Sequence, residues 1–182
     1  MTGSTAYRGS MHFTCGYGYN LVGAKTISCQ ADVTWGGRVP TCKATCRAGY
    51  QLIAQTCIRV GLEEKDYEDA QADCEREGAT LAMPKTKELD VALRNVIVNK
   101  YGKDSKYWIG LKESGSWLWA DGSSLDDHDH HYQGWNPGEP ASGIKAWFES
   151  SDCVQYWSGP TDTPMWDDTA CGYNLRYICQ ES

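Results

Sequence analysis

No basic stripe runs through this chain of 182 residues, whose formal net charge is -7 at pH 7. Nucleic acid and anionic membrane surfaces are therefore poor partners. No apolar run is long enough to span a bilayer. Met1-Thr2-Gly3-Ser4 lacks the basic head and apolar stretch of a secretory leader. No Asn-x-Ser/Thr sequon occurs, so N-glycosylation is not expected. Phenylalanine is nearly missing: two Phe stand beside eight Trp and eleven Tyr. A core built from Trp and Tyr buries large areas but must also satisfy N–H and O–H groups. Charged residues are 23% and hydrophobic ones 41%, the balance of a folded protein.

Cysteine is what the chain has in plenty. Nine occur, at 15, 29, 42, 46, 57, 74, 153, 171 and 179. None forms a Cys-x-x-Cys motif, and the four His are not spaced among them as zinc ligands would be. Thiols scattered through a Gly- and Trp-rich chain suit structural disulfides and an oxidising, extracellular compartment. Nine is odd, so one must remain free or find its partner outside the chain. A disulfide-type cysteine set without a leader is expected of a fragment or an incomplete gene model.

Two styles of sequence meet near residue 44. Residues 1–42 alternate apolar and polar over short runs, as in Met11-His12-Phe13-Thr14 and Lys25-Thr26-Ile27-Ser28. They predict short strands joined by turns. From residue 62 the period becomes helical. Asp66 can cap a helix carrying Tyr67, Ala70, Gln71 and Cys74 on one side, with Gly78 beyond its end. Thr86 can cap a second, with Leu89, Leu93, Val96 and Ile97 on one face and Gly102 as stop. From Tyr107 onward the chain reads as strands and long loops. Loop signals crowd residues 121–151, and long loops in compact domains are usually functional. Two helices followed by a strand-and-loop half predict an α+β domain.

Phe13-Thr14-Cys15, the run Gly18 to Gly23, Ile27-Ser28-Cys29, Trp35 and Pro40-Thr41-Cys42 resemble the second half of a sushi (complement control protein) module. Four cysteines pair first with third and second with fourth in that family, and only the last three are present here. The resemblance implies a Cys15–Cys42 bridge and leaves Cys29 unpaired within the chain. Trp108-Ile109-Gly110-Leu111 and Trp117-Leu118-Trp119-Ala120-Asp121-Gly122 resemble the core strand and following motif of C-type lectin-like domains. That resemblance covers residues 46–182 and implies the long form of the fold. It implies the bridges Cys74–Cys179, Cys153–Cys171 and Cys46–Cys57, which use every cysteine of the segment. The expected division is a partial sushi module at 1–42, a linker at 43–45 and the lectin-like domain at 46–182.

The resemblance also implies a calcium-assisted sugar site. Calcium-dependent lectins of the family use a Glu-Pro-Asn or Gln-Pro-Asp loop, a Trp-Asn-Asp strand and a Glu two residues before a cysteine. Here the loop reads Glu139-Pro140-Ala141, the strand reads Trp166-Asp167-Asp168, and Ser151 stands two before Cys153. Glu139, Asp167, Asp168 and Ser151 are thus the implied Ca2+ ligands. Three carboxylates remain, but Ala141 offers no side-chain oxygen and Ser151 only a neutral hydroxyl, which implies a weak site. Glu149 could complete the shell, and in the family the bond before Pro140 is cis. Lys112 stands where an acid of the family's second calcium position is expected. Sugar contacts are implied for Glu139, Trp147, Glu149, Asp167 and Asp168. Glu139 points toward mannose-type sugars and Trp147 toward galactose-type ones.

Asp126-Asp127-His128-Asp129-His130-His131 suggests a metal tract. Consecutive residues cannot all face one ion without a tight turn, so a solvated insertion is the expectation. No arrangement of an enzyme is suggested: Asp167 and Asp168 are adjacent on a strand and point apart, unlike two carboxylates flanking a scissile bond. Two functions stay open at this point. One is an extracellular, calcium-assisted module for glycans or glycoproteins, with avidity supplied by oligomers or the parent chain. The other is a calcium-independent domain that binds a protein through its long loop surface.

Overall fold

A computed structural model describes residues 2–3, 9–16, 18–126, 132–140 and 152–181. The chain divides into two compact units, Met1–Ala48 and Gly49–Ser182.

The first unit is all β. Strands β1 (Thr2–Gly3), β2 (Ser10–His12) and β4 (Thr26–Ser28) form an antiparallel sheet in the order β1-β2-β4. Strands β3 (Tyr19–Val22) and β5 (Thr41–Ala44) make a separate antiparallel pair. Among its described residues Phe13, Ile27 and Cys29 are the buried apolar side chains, a small core for so many residues. The Cys15–Cys42 bridge reinforces it. Cys29 is buried and free.

The second unit starts with β6 (Gln51–Ile53) and β7 (Thr56–Lys65). The helix α1 (Tyr67–Arg76) follows because Asp66 caps it, accepting from the Asp69 N–H at 2.8 Å. Its buried face is Tyr67, Ala70 and Cys74, and Cys74 is bridged to Cys179. A short strand β8 (Ala79–Leu81) precedes α2 (Lys87–Val96), which Thr86 caps through the Leu89 N–H at 3.2 Å. Helix α2 continues as one π-helical turn, Ile97–Tyr101, and ends at Gly102, whose φ is 84°. Strands β9 (Tyr107–Glu113), β10 (Trp117–Trp119), β11 (Cys153–Trp157), β12 (Met165–Thr169) and β13 (Leu175–Glu181) complete the unit.

These strands share one sheet in the order β12-β11-β9-β13-β7-β6, with β10 on β9 and β8 on β13. The β13–β9 pairing is parallel and the others are antiparallel. Two helices against antiparallel strands are the α+β arrangement that the sequence predicts. The first helix starts at the Asp66 cap as expected, directly after β7, which runs on to Lys65 and pairs with Leu175 of β13.

The core lies between the sheet and α2, around Leu93, Ile97, Ile109, Leu111, Tyr156 and Trp166. Gly110 sits where β9 passes close to its neighbours. A Cβ there would lie 2.7 Å from the Leu81 carbonyl oxygen and 3.0 Å from the Ala120 Cβ. No helix among the described residues is long and apolar enough to cross a membrane.

Candidate functional site

Strand β12 carries Asp167 and Asp168, and its register with β11 fixes their surroundings. Tyr156 faces Trp166, Gln155 faces Asp167 and Val154 faces Asp168. Val154, Tyr156 and Trp166 belong to the core cluster. Side chains alternate along a strand, so Gln155 and Asp167 share the opposite face. Both are buried, at 2% and 6% exposure. Gln155 Nε2 donates to Asp167 Oδ2 at 2.8 Å. A carboxylate has about four lone-pair positions, so that bond orients Asp167 without exhausting its capacity to accept. Gln155 Oε1 is buried without a hydrogen-bond partner among the described residues. Asp168 is half-buried at the next position.

Glu139 comes from a different segment, residues 132–140, which is stitched to β12 through the backbone. Gly134 accepts from the Trp166 N–H at 2.9 Å, and the Asn136 N–H donates to the Trp166 carbonyl at 2.8 Å. Asn136 in turn accepts from the Glu139 N–H at 3.0 Å. Its side chain donates to the Trp157 carbonyl at 3.2 Å, which ties the segment to β11 as well. The Glu139–Pro140 bond is cis. Two backbone steps therefore link the Glu139 turn to the residue immediately before Asp167.

The strand is anchored from below by α2. Asp90 is fully buried. Its Oδ1 accepts from Tyr156 at 2.6 Å and from Trp166 Nε1 at 2.8 Å, and its Oδ2 accepts from Tyr132 at 2.6 Å. Arg94 closes an ion pair with the same carboxylate one turn later. Burial first, then the neighbouring Asp90 carboxylate, pushes the hydroxyls of Tyr156 and Tyr132 above the usual phenol range, so both remain donors.

Ala141, Trp147, Glu149 and Ser151 lie outside the described residues, as do Asp127, His128, Asp129, His130 and His131. Asp126, at the edge of the His tract, donates its N–H to Ser124 Oγ at 3.2 Å. Lys112 is turned to an aromatic, its Nζ 5.8 Å from the centre of the Tyr67 ring. The Cys153–Cys171 bridge fastens the start of β11 to the turn after β12. Cys46 and Cys57 are both disulfide-bonded. Among the described residues of the second unit, no three His, Cys, Asp or Glu side chains gather their ligand atoms closely enough to hold an ion.

Sequence reasoning missed Gln155, Asp90 and Arg94. The last two had a signal. Asp90 falls among Leu89, Leu93 and Ile97 on the inward stripe of α2, with Arg94 four residues on, and an acid on a core stripe needs a partner. Gln155 had none, because its role depends on the β11–β12 register.

Comparison with known proteins agrees with this architecture. Residues 63–181 match the lectin C-type domain and residues 2–42 match the sushi repeat (SCR repeat). Lactose-binding lectin l-2 of Anguilla japonica is 30% identical over 158 residues, covering 84% of this chain and 88% of that protein. Among solved structures, an SPL-1–GlcNAc complex is 26% identical with a TM-score of 0.64, covering 77% of this chain and 97% of that one. A calcium-independent type II antifreeze protein is 25% identical with a TM-score of 0.60, covering 76% and 95%. With two helices, the antiparallel sheet and the matched segments all in accord, the chain belongs to the C-type lectin domain family, with a sushi repeat in its N-terminal unit.

Proposed function

We propose that this chain is an extracellular carbohydrate-binding module whose sugar site is completed by calcium. The observation that carries the reading is the stitching of the Glu139 segment to Trp166, which brings three acids onto two hydrogen-bonded segments. The donor chemistry suits the ion. Calcium takes about six to eight hard oxygens, several of them carboxylate. Glu139, Asp167 and Asp168 supply three carboxylates, and Gln155 orients one of them. Ser151 and Glu149 are the auxiliary oxygens, and Ala141 adds none, so the affinity is on the order of micromolar to millimolar. Bound there, calcium supplies a positive centre that a sugar's vicinal hydroxyls can ligate. The acids then accept hydrogen bonds from those same hydroxyls. Trp147 is proposed as an apolar platform for the sugar ring. The division into a sushi part at 1–42, a linker at 43–45 and a lectin part at 46–182 is proposed with it.

A relative named for lactose binding and a fold neighbour captured with GlcNAc support a glycan as the ligand class. The second reading, a calcium-independent protein-binding domain, is favoured by one specific likeness, that to the calcium-independent antifreeze protein. Asp168→Ala separates the two. Loss of calcium-dependent retention on a glycan array, with the melting profile of a folded protein, supports the first reading. Unchanged glycan binding would sink it.

A further inference from the structure

We infer that the buried Asp90–Arg94 pair of α2 is the positioning element of the candidate site, holding the Glu139 segment and the Asp167–Asp168 strand in one fixed relation; this rests on the calcium-assisted reading above.

The Asp90 carboxylate takes three hydrogen bonds, and each comes from a different element: Tyr156 on β11, Trp166 on β12 and Tyr132 at the start of the Glu139 segment. Arg94 pairs with Asp90 and directs its Nη2 to Tyr132 Oη at 3.3 Å and to the Gly134 carbonyl at 3.4 Å. That same carbonyl accepts from the Trp166 N–H. The guanidinium therefore sits on the backbone joint between the segment and β12. Trp166 is gripped at its ring nitrogen by Asp90 and at both backbone groups by Gly134 and Asn136. The next residue is Asp167.

The joint is also close-packed. A Cβ on Gly134 would stand 2.8 Å from Arg94 Nη2 and 2.8 Å from Trp166 Cε2. Only glycine lets the segment approach both at once. Around it, Trp135 and Tyr132 meet the Trp166 ring edge-on, with centroids 5.7 and 5.9 Å away. A buried ion pair is a poor way to gain net stability, because desolvation offsets most of the attraction. Its geometric demands are what it contributes: both Asp90 oxygens and the Arg94 Nη2 find partners on separate elements, so three elements are held in one arrangement. A cation site built from ligands on two separate segments needs that arrangement before the ion arrives.

The test uses the full chain and two variants, Asp90→Asn and Arg94→Lys. Asn keeps an acceptor for Tyr156 and Trp166 but presents an N–H to Arg94. Lys keeps the charge but cannot span Tyr132 and Gly134 together. Asp73→Asn serves as control, since it disturbs an equally dense ionic cluster on α1 that none of these residues shares. Amide hydrogen exchange reads the joint itself. Exchange at the Trp166 and Asn136 N–H groups should rise in the two variants relative to the β7 and β13 amides, and should not do so in the control. Calcium titration then reads the consequence, a dissociation constant raised several-fold, below the roughly tenfold or more for losing a direct partner of a metal ligand, because Asp90 and Arg94 touch Trp166 and Gly134 and not a ligand. If Asp90→Asn does not fold, Arg94→Lys alone decides. Uniform exchange across the unit, or a calcium affinity unchanged from a wild type that does bind, overturns the inference. A wild type that binds no calcium while the local exchange rises overturns the calcium reading instead and leaves the positioning role standing.

Discussion

Replacing Trp166 by phenylalanine removes one hydrogen bond and part of one ring, and both losses can be sized. Trp166 is fully buried, and its Nε1 donates to Asp90 Oδ1 at 2.8 Å. A hydrogen bond to a charged partner contributes about 1.5–3 kcal/mol. The Asp90 carboxylate keeps its bonds from Tyr132, Tyr156 and Arg94, so the lower half of that range applies. The smaller ring leaves a void in a close-packed cluster, where Trp119, Trp135 and Tyr132 all meet it edge-on. Large-to-small core changes that keep an aromatic ring cost roughly 1–2 kcal/mol, below the 3–5 of a full truncation to alanine. The expected sum is about 2.5–4 kcal/mol, a large share of the 5–15 kcal/mol that domains usually have. Urea unfolding of the variant and the wild type, with equal slopes, measures the difference. A loss under about 1 kcal/mol would mean that the Asp90 network carries little energy, and the reasoning from buried, charge-assisted bonds would fail.

Three further outcomes follow from the same structure. Asp73 is held low, at about 2: burial pushes its carboxyl up, but bonds from Tyr177, Arg59 and Lys65 outweigh it. A depressed folded value means stability present above the ordinary value of 3.8 and lost as pH falls toward 2. With partial solvent screening this is roughly 1 kcal/mol, so the gap between wild type and Asp73→Asn in urea unfolding should close between pH 4 and pH 2, and a constant gap would contradict the assignment. Removing Cys74–Cys179, with a separation of 105 residues, should cost about 4.8 kcal/mol by the chain-entropy relation, against about 3.2 for Cys153–Cys171 with its separation of 18. Equal losses would show that loop closure does not govern the difference. Gly134→Ala should destabilise by roughly 1–3 kcal/mol, because its Cβ must displace either the Arg94 guanidinium or the Trp166 ring, and a neutral result would mean the joint can yield.

Much of this fold is written locally. Asp66 and Thr86 mark their helices by capping, and the Trp-Ile-Gly-Leu run marks β9, because caps and buried apolar strands leave short-range signals. What the sequence hides depends on partners far along the chain. Strand β7 extends to Lys65 because of β13, more than a hundred residues later. Strand β8 is three residues long and owes its existence to Cys179, Gln180 and Glu181 opposite it. In the candidate site, Asp167 and Asp168 could be named from a motif, whereas Gln155 could not, since only the β11–β12 register sets it against Asp167. Asp90 stands on an inward stripe that the sequence reading passed over, and the three hydroxyl and ring donors that converge on it lie far along the chain.

Calcium is the centre of the functional account, and a thermal melt of the full chain addresses it directly, first with calcium and then with chelator. An ion that binds only the folded state adds about 2.7 kcal/mol at a hundred times its dissociation constant. The account predicts a melting temperature that rises with calcium, saturates by several millimolar, and falls back on chelation, with the rise abolished in Asp168→Ala. A flat melting temperature through that range would contradict it and direct the search to a protein partner.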